Sequence, residues 1–243
     1  MATRLVNVVV DTALPAELAR FWAELLGWRV SLELDDEVDL RAPPDDGWDL
    51  DLVFNLAPTP KTVRNRLHLD LASVSPDHQM SIVDTAMSLG AKRIDIGQGT
   101  VPWIVLADPD GNEFCALEHR PEYARTGAVA AVVVAATDPP RLAEFWSTAT
   151  GWPVVNAGAE VASLRAPDGS GPWLEFVPTE HPHTVQNHIH LDVAPYPDGS
   201  IAAEVARLTA AGATPADIGQ GDEVPWTVLA DPDGNEFCVL TPR

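Results

Sequence analysis

Cysteine is nearly absent from this chain: two in 243 residues, Cys115 and Cys238. Each stands at the same place in a repeated stretch, so they read as equivalent positions and not as a disulfide pair. Positive charge is scarce too. Fifteen Lys and Arg stand against thirty-six Asp and Glu, a formal net charge of −21. A surface of that sign repels phosphate backbones and anionic membranes, which argues against a nucleic-acid or membrane partner. No apolar run approaches the length of a membrane span. The first ten residues lack the long apolar stretch and cleavage site of a signal peptide, because Asp11 interrupts them. The expectation is a soluble cytoplasmic protein, monomer or homodimer. A nucleophile-elbow sequence and a dinucleotide fingerprint are both missing. The Gly-Gln-Gly segments lack the Gly-Lys-Ser/Thr ending of a phosphate loop, and the Asp-Pro-Asp-Gly segments lack the rest of a calcium loop and read as hairpin turns.

What is present is a long internal repeat. VLADPDGNEFC occurs at Val105–Cys115 and again at Val228–Cys238. His68 in NRLHLDLA matches His190 in NHIHLDVA, an offset of 190 − 68 = 122. Phe21-Trp22 matches Phe145-Trp146, Gly27-Trp28 matches Gly151-Trp152, and Ile96–Gly99 matches Ile218–Gly221. The order is kept from end to end, and a period this long is a tandem domain and not a solenoid. The join falls near His119–Gly127, giving domains at 1–120 and 127–243. With 46% hydrophobic residues, there is enough apolar material for real cores.

Within one copy, the β-branched run Leu5–Val10 predicts a strand. Pro15 suits a first helical turn, and Leu18, Phe21, Trp22, Leu25 and Leu26 form one apolar stripe that Gly27 ends. Strands follow at Trp28–Leu34, Val38–Arg41 and Asp49–Leu56. The pattern restarts with a strand at Arg66–Ala72, a helix at Pro76–Leu89, and strands at Lys92–Ile96, Trp103–Ala107 and Glu113–Leu117. Each copy is therefore βαβββ twice over, an α+β fold. In Leu67–Leu71 the leucines share one face, and His68 and Asp70 share the other. The leucine face must pack under helices, so His68 and Asp70 point into the hollow of a curved sheet. The second copy repeats this with His188, His190 and Asp192.

A doubled βαβββ unit carrying AELARFWAELLGW, NRLHLDLA and VLADPDGNEFC resembles the vicinal oxygen chelate superfamily. Within it, the match is to the glyoxalase-like, bleomycin-resistance-protein-like branch common in actinobacteria. The resemblance implies a cup-like mixed sheet in each domain with helices outside. It leaves open whether βαβββ units are exchanged between the halves. It implies further that members using a divalent metal place ligands on the first, fourth, fifth and last strands of a domain. Those positions are Asn7, Val53, His68 and Cys115 in the first copy, and Ala131, Glu175, His190 and Cys238 in the second. Val53 and Ala131 cannot ligate, Asn7 is a poor ligand, and cysteine in the last place is wrong for iron, manganese or magnesium. Glu175, His190 and Cys238 make a set that zinc would accept. The expectation is nonetheless a protein without a metal or other cofactor.

Two functions follow from the resemblance. One is a protein that binds a small organic molecule in its cup, of the drug- or metabolite-binding kind. The other is an enzyme, a lyase, isomerase or hydrolase acting on an oxygen-rich molecule, with His190 as acid/base beside Glu175 and Asp192. Asn7, His68, Asp70, Cys115, His188 and Cys238 are the further expected ligand contacts, with Trp103 and Trp226 at the rims. The second cup is expected to be the functional one, since it keeps Glu175 where the first has Val53.

Overall fold

The computed structural model describes residues 3–57, 60–221 and 224–243. The first unit is β1 (Arg4–Thr12), α1 (Pro15–Leu26), β2 (Arg29–Glu33), β3 (Glu37–Arg41) and β4 (Asp51–Leu56). The second is β5 (Leu67–Leu71), α2 (Pro76–Ser88), β6 (Lys92–Arg93), β7 (Ile104–Ala107) and β8 (Glu113–Ala116). A short 3-10 turn at Pro121–Tyr123 leads into the third, β9 (Val129–Ala136), α3 (Pro139–Thr150), β10 (Val154–Ala157), β11 (Ala162–Leu164) and β12 (Trp173–Pro178). The fourth is β13 (Ile189–Ala194), α4 (Ile201–Ala210), β14 (Thr214–Pro215), β15 (Thr227–Ala230) and β16 (Glu236–Val239). The repeated βαβββ pattern read from the sequence is thus the observed one.

Local chemistry explains the helix ends. Pro15 opens α1, its stripe of Leu18, Phe21 and Trp22 is buried, and Gly27 closes it in the left-handed conformation at φ 69°. In α3, the Asp138 side chain accepts from the Arg141 N–H, and Gly151 closes the helix at φ 74°.

The units do not pair as they follow along the chain. One eight-stranded sheet runs β14-β15-β16-β13-β1-β4-β3-β2, and the other runs β6-β7-β8-β5-β9-β12-β11-β10. The first sheet joins units one and four, and the second joins units two and three. Each sheet therefore draws one βαβββ unit from each half. The seams are antiparallel ladders: β1 on β13, with Val8 opposite Leu191, and β5 on β9, with His68 opposite Val133. Equivalent units have changed places, so both sheets keep the same strand order.

The sheet faces divide as the alternation requires. Leu67, Leu69 and Leu71 join Ile189, Leu191 and Val193 in one core that also takes in both helix stripes. Trp22 of α1 meets Phe114 of β8 edge to face with ring centres 5.0 Å apart, and Trp146 of α3 meets Phe237 of β16 at 5.3 Å. Each of these helices thus touches a strand of the sheet it does not belong to. The repeated turn before β8 and β16 strengthens that contact. Asp108 accepts from the Trp22 indole N–H at 3.2 Å, and Asp231 accepts from that of Trp146 at 3.1 Å. Both carboxylates are buried, and the indole and the Asn112 or Asn235 amide offset part of the cost of that burial. Arg66, at the start of β5, ties the halves together by donating to Ala135 O, His181 O and Asn235 Oδ1, each at 2.7 Å.

At the join, Gly127 has φ 76°, and a β-carbon there would run into the backbone and side chain of Asp46. Asp46 in turn accepts from the Ala128 N–H at 3.0 Å. The join is packed against the first unit, which fixes where β9 enters its sheet.

Candidate functional site

The opposite faces of the two sheets form two cups. In the sheet of units two and three, β5 carries His68 and Asp70 into the hollow. Register across the strands then fixes what they face. Val133 of β9 lies opposite His68, and Glu175 of β12 lies opposite Val133, so the three stand in one row. Cys115 of β8 lies opposite Asp70. A cavity of about 720 Å³ opens over this floor, and its lining includes His68, Asp70, Cys115, Glu175, Trp103 and Arg120. That volume suits a drug-sized molecule. The far wall comes from the segments 63–66 and 177–187, one from each half.

The floor is polar and only partly satisfied. His68 Nε2 lies 3.3 Å from Asp70 Oδ1, yet the alignment is poor, and that buried oxygen has no hydrogen-bond partner among the described residues. Glu175 is held by the Tyr123 hydroxyl, which donates at 3.1 Å to one carboxylate oxygen and lies 3.3 Å from the other. Burial, followed by the nearby Asp70 charge, pushes the Glu175 carboxyl up to about 7. Burial, then Asp70, also pushes the Cys115 thiol far above its usual range, so it is an inert thiol and not a nucleophile. Arg120 donates through Nε to Glu118 at 2.6 Å and lies over the Trp103 and Tyr123 rings at 5.5 and 5.8 Å. Trp103 is fixed in turn by its indole N–H, which donates to Gln98 Oε1 at 3.0 Å.

The cup of units one and four holds Asn7, Val53, His190, Asp192 and Cys238. Asn7 Nδ2 donates to Asp192 Oδ2 at 2.9 Å, and His190 Nε2 lies 3.6 Å from Asp192 Oδ1. Burial lowers His190 to about 4, which keeps the ring neutral. Burial also raises Asp192 to about 7, against the opposing hydrogen bonds of Asn7 and Cys238. Asp11 nearby is raised to about 6 by burial. Asp192 Oδ1 has no hydrogen-bond partner among the described residues.

These positions correct the catalytic set expected from sequence. His190 and Asp192 do meet, but Glu175 sits in the other cup with His68. The zinc set Glu175, His190 and Cys238 is split in the same way. The physical reason is the exchange of units: the strand bearing Glu175 pairs with β9, and β9 pairs with β5 of the first half. His68, Asp70, Cys115 and Trp103 line one cavity, whereas Asn7, grouped with His68 and Cys115 in the first copy, lies in the other cup, where it and Cys238 both face Asp192. His188 is half-buried just before β13, where its carbonyl accepts the Asp11 N–H at 2.8 Å. Trp226 is 37% exposed and is not part of the large cavity's lining, unlike its counterpart Trp103. Trp22, Trp28 and Trp146 are core residues.

Two residues of the large cup were not read from sequence, Tyr123 and Arg120. Tyr123 lies in the join, with no counterpart in the repeat to mark it. Arg120 did leave a signal. It is repeated as Arg243 at an offset of 243 − 120 = 123, the same as that of the cysteines, 238 − 115 = 123. Arg243 also serves its own cup, where its charge favours the ionised forms of Asp192 and Asp39.

Each cup contains three groups able to ligate a metal, His68, Asp70 and Cys115 in one and His190, Asp192 and Cys238 in the other, with their donor atoms within 4.8 Å of one another. A nitrogen, carboxylate and thiol set suits zinc better than magnesium or calcium. The four strand positions given by the family resemblance fit a metal less well. With units exchanged they become Ala131, Glu175, His68 and Cys115 in one cup, and Asn7, Val53, His190 and Cys238 in the other. Ala131 and Val53 are hydrocarbon, Glu175 is engaged by Tyr123, and Asn7 offers only an amide already bonded to Asp192.

Paired βαβββ units that close eight-stranded cups define the fold of the vicinal oxygen chelate superfamily. The chain belongs to the glyoxalase-like domain family, which matches residues 7–117 and again 131–240. Among solved structures, glyoxalase I from Zea mays aligns over 99% of this chain and 92% of its own, at 14% identity and TM-score 0.67. A putative dioxygenase from Bacillus subtilis subsp. subtilis str. 168 aligns over 99% and 86%, at 12% identity and TM-score 0.63. At such identities the likeness is one of fold. No match is found among curated proteins. Among the described residues, no helix is long and apolar enough to cross a membrane.

Proposed function

We propose that this protein binds a small organic molecule in the cup of units two and three, without a resident metal. The observation that carries this reading is the cavity of about 720 Å³ whose floor carries the polar side chains of His68, Asp70 and Glu175. Trp103 supplies a flat face at the rim. The metal-free part of the reading rests on the hydrocarbon at Ala131 and Val53 and on the engaged Glu175. Elemental analysis of protein purified without chelator or histidine tag checks that part. One equivalent of zinc per chain, lost on His68→Ala or Cys115→Ala, would overturn it.

Filling the cavity tests the site itself. Ala135 lines it from β9, beside Val177 of β12. The substitution Ala135→Trp is expected to weaken any ligand found by thermal-shift screening of metabolites and antibiotics by at least ~100-fold, since a large side chain then occupies the ligand's volume. The other cup shares no strand with it and should be unaffected. A ligand whose affinity survives Ala135→Trp binds elsewhere.

One observation favours a second reading, in which the same cup turns a substrate over. A carboxyl that titrates near neutrality in a cavity is suited to proton transfer, and Glu175 is such a group. In that case Glu175 takes the acid/base role in a lyase, isomerase or hydrolase acting on an oxygen-rich molecule. Turnover lost in Glu175→Gln with binding retained would identify the enzyme. Binding without turnover in the unaltered protein would leave the carrier.

A further inference from the structure

The charges around the large cavity are out of step with the rest of the chain. Its lining takes three of the fifteen Lys and Arg side chains, Arg64, Arg66 and Arg120, but only two of the thirty-six carboxylates, Asp70 and Glu175. Two of these arginines also have a carboxylate partner outside the lining, Asp233 for Arg66 and Glu118 for Arg120, so the local balance is near neutral on a protein of net charge −21. The three arginines are not equivalent. Arg66 is committed to structure by its carbonyl bonds and by Asp233 at 3.2 Å. Arg64 is exposed at the mouth and makes no hydrogen bond or ion pair among the described residues. Arg120 is held in place by Glu118, which accepts from its Nε, and by the Tyr123 hydroxyl, with its guanidinium carbon 5.5 and 5.8 Å from the Trp103 and Tyr123 ring centres, and the rest of its five N–H donors remain for a ligand. Its reach into the cup is seen in its charge, which favours the ionised forms of both Cys115 and Glu175.

We infer that the ligand of this cup is a small organic acid, a flat body bearing a carboxylate that Arg120 receives, with Arg64 adding attraction at the mouth. The inference rests on the binding function proposed above and narrows it. A planar guanidinium with free donors is matched to a carboxylate, which it can bind by two parallel hydrogen bonds. The Trp103 ring beside it gives the flat body a surface to lie on. The acid's other end faces the floor, where His68, Asp70 and Glu175 supply polar partners for a hydroxyl. The overall negative field of the protein works against random anions, so the selectivity lies in this cavity and not in the surface.

Three probes with one ring system separate charge from shape: 6-hydroxy-2-naphthoate, its neutral amide, and the matching methylammonium compound. Binding is measured by calorimetry at pH 6, where Glu175 is mostly protonated. The acid is expected to bind at least ~10-fold more tightly than the amide, a difference of about 1.4 kcal/mol. The ammonium compound is expected to be weakest. In Arg120→Gln the acid and amide should come within about two-fold of each other, with amide affinity kept. Amide or ammonium binding that equals or exceeds that of the acid, and is lost in Ala135→Trp, overturns the anion inference but leaves the cavity as the binding site. Acid binding that persists in Ala135→Trp overturns the cavity reading as well. Failure of the acid to bind at millimolar concentration overturns the inference.

Discussion

Expressed separately, residues 1–126 and 127–243 will not give two folded monomers. Each half holds one unit of each sheet, so cutting the join strips β1 of β13 and β5 of β9. The exposed seams carry Val8 and Val10 on one strand and Leu67 and Leu69 on the other, all buried in the whole chain. An unpaired strand with that apolar face pairs with another chain. Each half alone is expected to dimerise or aggregate, with no cooperative unfolding as a monomer. Co-expressed, the two halves should form a one-to-one complex that binds ligand as the intact chain does. Size-exclusion chromatography with light scattering checks this. A half that is monomeric and unfolds cooperatively would show that the units can close within one half and that the exchange is not required.

The second large effect is an inverted pH dependence. Burial raises Asp192 and Glu175 to about 7, and Asp11, Asp39 and Asp108 to about 6. Each binds a proton in the fold at a pH where the unfolded chain has released it. Their contribution to stability is therefore full below the unfolded value near 4 and is lost as the pH rises through 6 to 7. His190 works the other way. Its folded value of about 4 lies below the ordinary 6.5, so the stability it gives is present above 6.5 and lost as the pH falls through 4. Five groups against one set the sign between pH 8 and pH 5: the denaturation midpoint rises as the solution is acidified. Asp192→Asn keeps an oxygen for the Asn7 amide and removes the buried charge. It is expected to stabilise the protein at pH 8 on the order of 2–4 kcal/mol, with little gain at pH 5. Denaturant titrations at both values check this. A variant less stable than the parent at pH 8 would mean that Asp192 is paired with a cation that lowers its value.

The fold was legible because it rests on local signals. Pro15 and Gly27 bound a helix, Leu67, His68, Leu69, Asp70 and Leu71 alternate as a strand must, and Asp108–Gly111 makes the turn. The repeat then forces two similar cups. The partners of each cup were not legible, because strand pairing between units depends on contacts over a hundred residues apart, and either pairing satisfies the same alternation. That single ambiguity moved Glu175 from His190 to His68. It also moved the expected site, since the carboxyl that singled out the second copy belongs to the cup that carries the first copy's histidine. Arg120 was missed for another reason. It lies after the last strand, where no periodicity marks it, and only its recurrence as Arg243 singles it out.

The two cups differ in which of them receives the ligand. Side-chain NMR of the histidines, with 6-hydroxy-2-naphthoate titrated into the intact protein, reads both cups in one experiment. His68 lines the large cavity, while His190 is buried beside Asp192 in the other cup. The account predicts that the His68 ring signals shift in proportion to occupancy, that those of His190 stay in place, and that the shift is absent in Ala135→Trp. Movement of His190 with His68 unchanged would place binding in the cup of units one and four and contradict the account.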